Sequence, residues 1–223
     1  MIGTPRTPVF LNASIAACAG LSIAATVRRM GTTTFLWIGF GYLLGSIPFG
    51  LLLTRANGID IRAVGSGNIG TTNVLRTGNK ALAAATLLLD AGKGAAALLI
   101  AQHFGGVEAG MLAGVAAFLG HCYPVWLRFN GGKGVATLLG VALAAVPVAG
   151  VAALVAWAIG ALATRYSSVG GLLAAIVAPL AAVLLGAPHS AIALASMAAV
   201  LIWKHRENIA RLCAGTESRI GAK

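Results

Sequence analysis

The sequence predicts an all-α, polytopic integral membrane protein: seven transmembrane helices, glycine-rich loops on the cytoplasmic side, and the N-terminus outside. Three observations carry that expectation. Hydrophobic residues make up 58% of the chain and charged residues 9%, where a soluble domain has about 25% charged. So few charges cannot cover a water-facing surface, and the mean hydropathy of +0.89 says the same. The apolar residues fall in runs close to membrane-spanning length, and the basic residues fall in alternate connections between those runs.

The runs, in order, are 35–53, 81–101, 111–122 with flanks from about 107, 135–148, 150–163, 169–185 and 191–203. The first carries Gly45, Ser46 and Pro48, which should kink it. The fourth is short for a bilayer core that needs about 20 residues. Its start is therefore expected within the membrane, with Gly131 to Gly134 dipping inward, which requires a polar cavity or surrounding protein. Pro147 and Gly186-Ala187-Pro188 mark two turns. Arg55, Arg62, Arg76 and Lys80 follow the first run, Arg128 and Lys133 the third, Arg165 the fifth, and Lys204, Arg206, Arg211, Arg219 and Lys223 the last. The other connections hold only His103, Glu108 and His189. The positive-inside rule makes the basic side cytoplasmic. It also brings every glycine-rich polar segment to one face, where they can converge.

Residues 1–29 stand apart from the functional region, 30–223. The apolar stretch 7–25 reads as an over-called start, a signal-like segment or an extra helix; as a helix it would strand Arg28 and Arg29 outside. Cys18, Cys122 and Cys213 show no metal spacing and are expected to be reduced. The net charge of +11 fits cytoplasmic loops against anionic lipid and an anionic substrate better than nucleic acid. Neither a metal nor another cofactor is expected, and no obligate protein partner is evident.

The chemistry is expected first in Gly65-Ser66-Gly67-Asn68-Ile69-Gly70-Thr71-Thr72-Asn73, closed by Arg76. Glycines let backbone N–H groups converge and a ligand approach closely; the hydroxyls, amides and guanidinium add donors suited to a phosphate. The spelling Gly65-x-Gly67-x-x-Gly70 also fits a dinucleotide fingerprint, with Asp90 at the right distance. That motif needs a preceding strand and a βαβ unit, and here apolar spans flank it instead. A second stretch, Gly131-Gly132-Lys133-Gly134, puts a lysine among glycines at a helix start. It is no P-loop, because Gly134 stands where Ser or Thr is required; a snorkelling lysine is the alternative. Ser168 opens a run and taken alone reads as an N-cap. His205 and Asn208 are three apart and share a helical face, with Arg211 continuing it. Asp90 and Lys93 lie inside a span, as a functional pair or an ion pair that locks packing. His121 reads as a packed, hydrogen-bonded histidine.

Together these stretches resemble the bacterial acyl-phosphate:glycerol-3-phosphate acyltransferase family of the PlsY type. The resemblance rests on Gly45 to Gly50, Gly58-x-Asp60-Ile61-Arg62, Gly65 to Asn73 with Arg76, Gly120-His121 with Pro124-Val125, Gly131 to Thr137, and His205 to Asn208 through Gly215-Thr216-Glu217. Thr71 stands where the family commonly has alanine, and Gly171 where many members have serine. The resemblance implies transfer of a fatty acyl group from acyl phosphate to the 1-hydroxyl of glycerol 3-phosphate. The products would be lysophosphatidate and phosphate, at the bacterial inner membrane with the site facing the cytoplasm. Ser66, Arg76, Lys133, His205 and Asn208 are the expected catalytic residues. Gly65, Gly67, Asn68, Thr71, Asn73, Gly131, Gly132, Gly134 and Ser168 are the expected substrate-binding residues. A membrane transporter of a phosphorylated solute is the alternative, because short broken helices also suit transporters.

Overall fold

In hydrocarbon each backbone N–H and C=O must be paired within the chain, so the apolar runs can fold only as helices or a closed barrel. The computed structural model describes residues 31–221, and within these every regular element is helical. The expectations for residues 1–29 lie outside the described residues. The chain falls into two units, Met1–Leu36 and Trp37–Lys223. The described part of the first is the opening of helix α1; the second holds everything discussed below.

Helices α1 (Thr32–Gly45) and α2 (Phe49–Ala56) are separated where the sequence predicts a kink. Pro48 has no N–H to continue the ladder. At the break Lys93 Nζ donates to the Ile47 carbonyl at 2.8 Å, and Ser46 Oγ donates to Tyr42 O at 2.7 Å. A polar stretch containing the short helix α3 (Thr71–Leu75) leads to α4 (Lys80–Cys122). Helix α4 is a hairpin: it breaks at Gly106, with φ 86° and ψ 174°. A Cβ on Gly110 would lie 2.6 Å from Gln102 Cβ, and one on Gly114 3.5 Å from Leu98 Cβ, so the two limbs run back along each other. They coincide with the expected second and third apolar runs, 81–101 and 111–122.

Helices α5 (Val135–Ala145), α6 (Pro147–Thr164), α7 (Ser167–Leu184) and α8 (Pro188–Lys204) follow, and α9 (Arg206–Cys213) closes the chain. Each expected run falls on helix. By length and composition, however, only 4 helical stretches among the described residues can cross a membrane: Thr33–Ala56, Lys80–Leu127, Pro147–Thr164 and Ser167–Leu184. The second contains the α4 hairpin, and α5 and α8 are shorter apolar helices. Helix α5 is curtailed because Val146 leaves helical backbone, with φ −143° and ψ 86°, and Pro147 starts the next helix.

Small residues set the packing. Without a hydrophobic drive between helices in lipid, close backbone approach supplies the contact energy. A Cβ on Gly41 or Gly45 would fall 2.2 or 2.0 Å from the Ala113 or Ala117 carbonyl oxygen, so α1 lies directly on the second limb of α4. Gly140 does the same for α5 against Ala91 of the first limb, at 2.0 Å. On α7, Ala174, Ala175, Ala178 and Ala182 are fully buried. The core between them holds Leu98, Phe118, Leu138, Val141, Leu194, Met197 and Leu201. Outward faces expose Leu88, Leu162, Leu184 and Ile192, as a surface solvated by lipid tails would.

Candidate active site

Four polar segments meet at one end of the helices. In the first, Asp60 Oδ1 accepts from Arg62 N at 3.1 Å and starts a tight 3-10 turn over Ile61–Ala63. Gly65 and Gly67 follow with φ of 51° and 65°, a region costly for side chains. The turn closes on Asn73. Its Nδ2 donates to the carbonyls of Val64 at 2.9 Å and Asn68 at 2.8 Å, with Ile61 O at 3.1 Å, and its Oδ1 accepts from Ser66 N at 3.1 Å. Asn73 is 2% exposed. Its amide is spent on shaping the loop, and the residue still borders the cavity. Asn68 Oδ1 likewise accepts from Gly70 N at 2.9 Å. Ser66 is exposed on the turn, and the buried Thr71 hydroxyl has no partner. Arg76 reaches across the pocket mouth, donating from Nη2 to Ser218 Oγ at 2.5 Å.

The second segment joins α4 to α5. Arg128 and Phe129 are left-handed, with φ of 49° and 63°. The chain then returns so that Gly131 N donates to Cys122 O at 3.2 Å and Gly132 N to His121 O at 3.0 Å. A Cβ on Gly132 would lie 2.1 Å from His121 Nε2, and one on Gly134 2.2 Å from Phe118 Cε2. Only glycine fits on either side of Lys133. Arg62 Nη2 ties the two loops by donating to Asn130 O at 2.7 Å.

The third segment is the start of α7. The hydroxyls of Thr72 and Ser167 lie 2.7 Å apart, joining it to the first loop. Ser168 is not the N-cap; that position is Tyr166. Ser168 Oγ instead donates to Glu217 Oε1 at 2.8 Å.

The fourth is the α8–α9 junction and the tail. His205 sits at the break between the helices rather than on one continuous helix, yet it and Asn208 still face the same cavity. His205 Nδ1 lies 2.9 Å from Leu201 O, a contact that fixes the proton on Nδ1 and leaves Nε2 as an acceptor. Asn208 Oδ1 accepts from Lys133 Nζ, and its Nδ2 donates to Glu217 Oε1 at 2.6 Å. Arg211 Nε donates to Glu217 Oε2 at 2.7 Å. Glu217 thus orients the Asn208 amide.

Burial pushes the Lys133 ammonium down to about 8, helped by the nearby Arg211 charge. Burial also pushes His205 down to about 4, so the ring is neutral near pH 7. Burial works to raise Glu217, but hydrogen bonds from Asn208, Arg211 and Ser168 prevail and hold it below the usual carboxylate range.

The cavity among these segments has a volume of about 810 Å³. Every expected site residue lines it except Gly132, which is packed against His121. Arg76, Lys133 and Asn208, from three separate segments, are among the lining. One wall is apolar, formed by Leu87, Leu139, Leu154 and Trp157, and Leu154 is 42% exposed on the outer face of α6. At the inner end Asp90 and His121 also line the cavity. Asp90 Oδ1 lies 2.7 Å from Lys93 Nζ and 3.5 Å from His121 Nδ1. Asp90 and Lys93 form a buried ion pair, which fits one of the two readings the sequence left open, and His121 lies beside them.

Sequence reasoning assigned no role to Glu217, Arg62 or Ser167. The available signal for Glu217 was scarcity: it is one of 5 acidic residues in the chain, placed in a basic tail. Arg62 and Ser167 act through pairings across long sequence separations, which no local pattern reveals.

Fold and site together define an integral membrane protein with a cation-rich pocket of about 810 Å³ that also has an apolar wall. The glycerol-3-phosphate acyltransferase family model matches residues 35–215. Two relatives named glycerol-3-phosphate acyltransferase are similar in sequence. One, from Agrobacterium fabrum, is 59% identical over 184 residues, covering 82% of this chain and 90% of its own length. The other, from a Ruegeria species, is 60% identical over 188 residues, covering 84% and 93%. The crystal structure of PlsY (YgiH), an integral membrane glycerol 3-phosphate acyltransferase in its glycerol 3-phosphate form, superposes with a TM-score of 0.80. It is 40% identical, over 84% of this chain and 96% of that one. Its lysophosphatidic acid form gives a TM-score of 0.79. This chain belongs to the glycerol-3-phosphate acyltransferase family.

Proposed function

We propose that this chain transfers a fatty acyl group from acyl phosphate to the 1-hydroxyl of glycerol 3-phosphate, releasing lysophosphatidate and phosphate. The observation that carries the reading is one cavity in which Arg76, Lys133 and Asn208 converge beside an apolar wall. Both substrates bear phosphate, so two anion sites must adjoin. One bears a long chain, which needs an apolar path toward lipid; Leu139, Leu154 and Trp157 supply it. The relatives' shared name gives glycerol 3-phosphate as the acceptor. The acyl phosphate donor is inferred from the chemistry: phosphate is a good leaving group, and the pocket offers cations where its charge develops.

In this mechanism Lys133, with the loop glycines Gly131 and Gly134, holds one phosphate at the start of α5, whose positive end assists. Ser66, Thr71 and Arg76, on a loop shaped by Gly65, Gly67 and Asn68, hold the other or orient the acyl carbonyl. His205, Asn208 and Ser168 position glycerol 3-phosphate. The 1-hydroxyl oxygen attacks the acyl carbonyl, the C–O bond to phosphate breaks, and the hydroxyl proton must leave. His205 Nε2 is an available acceptor, but a group held near 4 is a weak base. A phosphate monoester dianion, with a second pKa of about 6, is stronger by roughly 100-fold and is the favoured acceptor. The enzyme then works chiefly by positioning and charge neutralisation.

The chain is read as seven spans in the plasma membrane of a bacterium, N-terminus outside and pocket facing the cytoplasm. The supporting fact is that the basic connections all belong to the pocket end, whereas the Gly106, Val146–Pro147 and Gly186–Ala187 turns do not line it. A pocket at one end of the helices, rather than at mid-bilayer, also argues against a transporter. Residues 1–29 are read as separate from the catalytic region. Purified protein is expected to convert palmitoyl phosphate and labelled glycerol 3-phosphate to lysophosphatidate. Lys133→Ala and Arg76→Ala are expected to abolish this in folded protein; near-normal turnover in both would refute the pocket assignment.

A further inference from the structure

The buried Asp90–Lys93–His121 cluster has no part in the proposed chemistry, yet it lies directly under the loop that carries Lys133. We infer that Asp90 and His121 are a positioning pair that fixes the Lys133 loop, and through it the approach of Lys133 to substrate phosphate. The inference rests on the phosphate-binding reading given above.

Two charges inside a span are costly, and they persist where they are paired or functional. Lys93 meets Asp90 Oδ1 at 2.7 Å and uses another proton for the Ile47 carbonyl, freed by the α1–α2 break. This holds the carboxylate in place from below, and Thr137 Oγ1 donates to the Asp90 carbonyl at 3.0 Å from α5. The carboxylate then faces His121 Nδ1 at 3.5 Å, long for a hydrogen bond but close for a charge. A carboxylate at that position favours the tautomer with the proton on Nδ1 and sets the plane of the ring. The far edge of the same ring bears on Gly132: a methyl there would sit 2.1 Å from Nε2 and 2.8 Å from Cε1. The His121 carbonyl meanwhile accepts from Gly132 N at 3.0 Å. Backbone and side chain of one histidine thus grip the residue immediately before Lys133. A simple packing role would be served by any apolar side chain of that size. An imidazole held by a buried carboxylate, at the expense of burying two more polar groups, implies that ring orientation matters.

The test is a double-mutant cycle in detergent-purified full-length protein. The readouts are the dissociation constants of glycerol 3-phosphate and of a non-transferable palmitoyl phosphonate, with thermal unfolding as a control. Lys133→Ala removes charged hydrogen bonds and is expected to weaken one of the two ligands by ~30-fold. His121→Asn, which keeps a donor near Nδ1 but removes the edge that meets Gly132, is expected to weaken the same ligand by ~10-fold. The double variant is expected to stay at ~30-fold, because His121 acts only through Lys133. A loss of ~300-fold, the product of the two, would mean His121 acts independently and would overturn the inference while leaving the pocket reading intact. If Lys133→Ala weakens neither ligand, the pocket reading itself fails. A second pair guards against a variant that does not fold. Gly132→Ala is expected to weaken binding in the native background, and to add nothing in a His121→Ala background where the ring no longer stands in the way. An unrelieved loss there would also overturn the inference.

Discussion

Lys133 offers the sharpest test of the pocket, because its ionisation is measurable through pH. Its ordinary value of 10.5 falls to about 8 as the side chain is buried beside Arg211. In the free enzyme the fraction charged is then roughly 90% at pH 7 and about 10% at pH 9. If only the ammonium form neutralises phosphate, kcat/KM should be flat from pH 6.5 to 7.5 and then fall, approaching a tenfold loss per pH unit above about 8.5. Arginine in the same place cannot lose its proton in this range. Lys133→Arg should lower kcat/KM throughout, through altered geometry, but remove the alkaline limb. The assay is lysophosphatidate formation from palmitoyl phosphate at subsaturating glycerol 3-phosphate, with pH varied at fixed ionic strength. An alkaline limb that stays at the same pH in Lys133→Arg would refute the assignment. Linkage gives a companion expectation. The unfolded lysine keeps its proton up to about 10.5, and the folded one releases it near 8. The unfolded state therefore binds more protons between those values, and stability should rise with pH across that window. The gain is at most roughly 3 kcal/mol from a shift of this size, read as a rising Tm.

Glu217→Gln keeps the shape but turns charged hydrogen bonds to Ser168 and Asn208 into neutral ones and sets an amide against Arg211; kcat/KM should fall by about 30-fold, equivalent to ~2 kcal/mol. Glu217 is held below its ordinary value, so its stabilising contribution is present above about pH 4.5 and fades as pH falls through the lower folded value. An acid-side Tm profile identical in wild type and Glu217→Gln would count against that linkage. Gly45→Ala drives a methyl to 2.0 Å from the Ala117 carbonyl oxygen, where backbone must shift; thermal unfolding should show a loss of ~1–3 kcal/mol. Trp157→Ala should alter the dependence of kcat/KM on acyl-chain length while leaving the KM for glycerol 3-phosphate within about twofold, since only the apolar wall is changed. An unchanged chain-length profile would remove α6 from the acyl path.

The sequence by itself determined that the chain lives in a membrane, because 9% charged residues leave no alternative. It also located each helical run and the break at Pro48, which follow from local composition and from proline's missing N–H. The polar loops were legible for the same reason: glycine, serine, asparagine and lysine are conspicuous among alanines and leucines. Only the tertiary structure decided what those residues face. Asn73 and Ser168 have side chains that could serve a ligand or the loop, and the choice depends on which carbonyls and carboxylates other segments bring near. Glu217 became the anchor of Asn208 through a tail fold that no periodicity encodes. Asp90 and His121 are 31 positions apart in the chain yet 3.5 Å apart in space, because α4 reverses at Gly106. Local propensity is a property of neighbours in sequence; charge pairing and hydrogen-bond allocation are properties of neighbours in space.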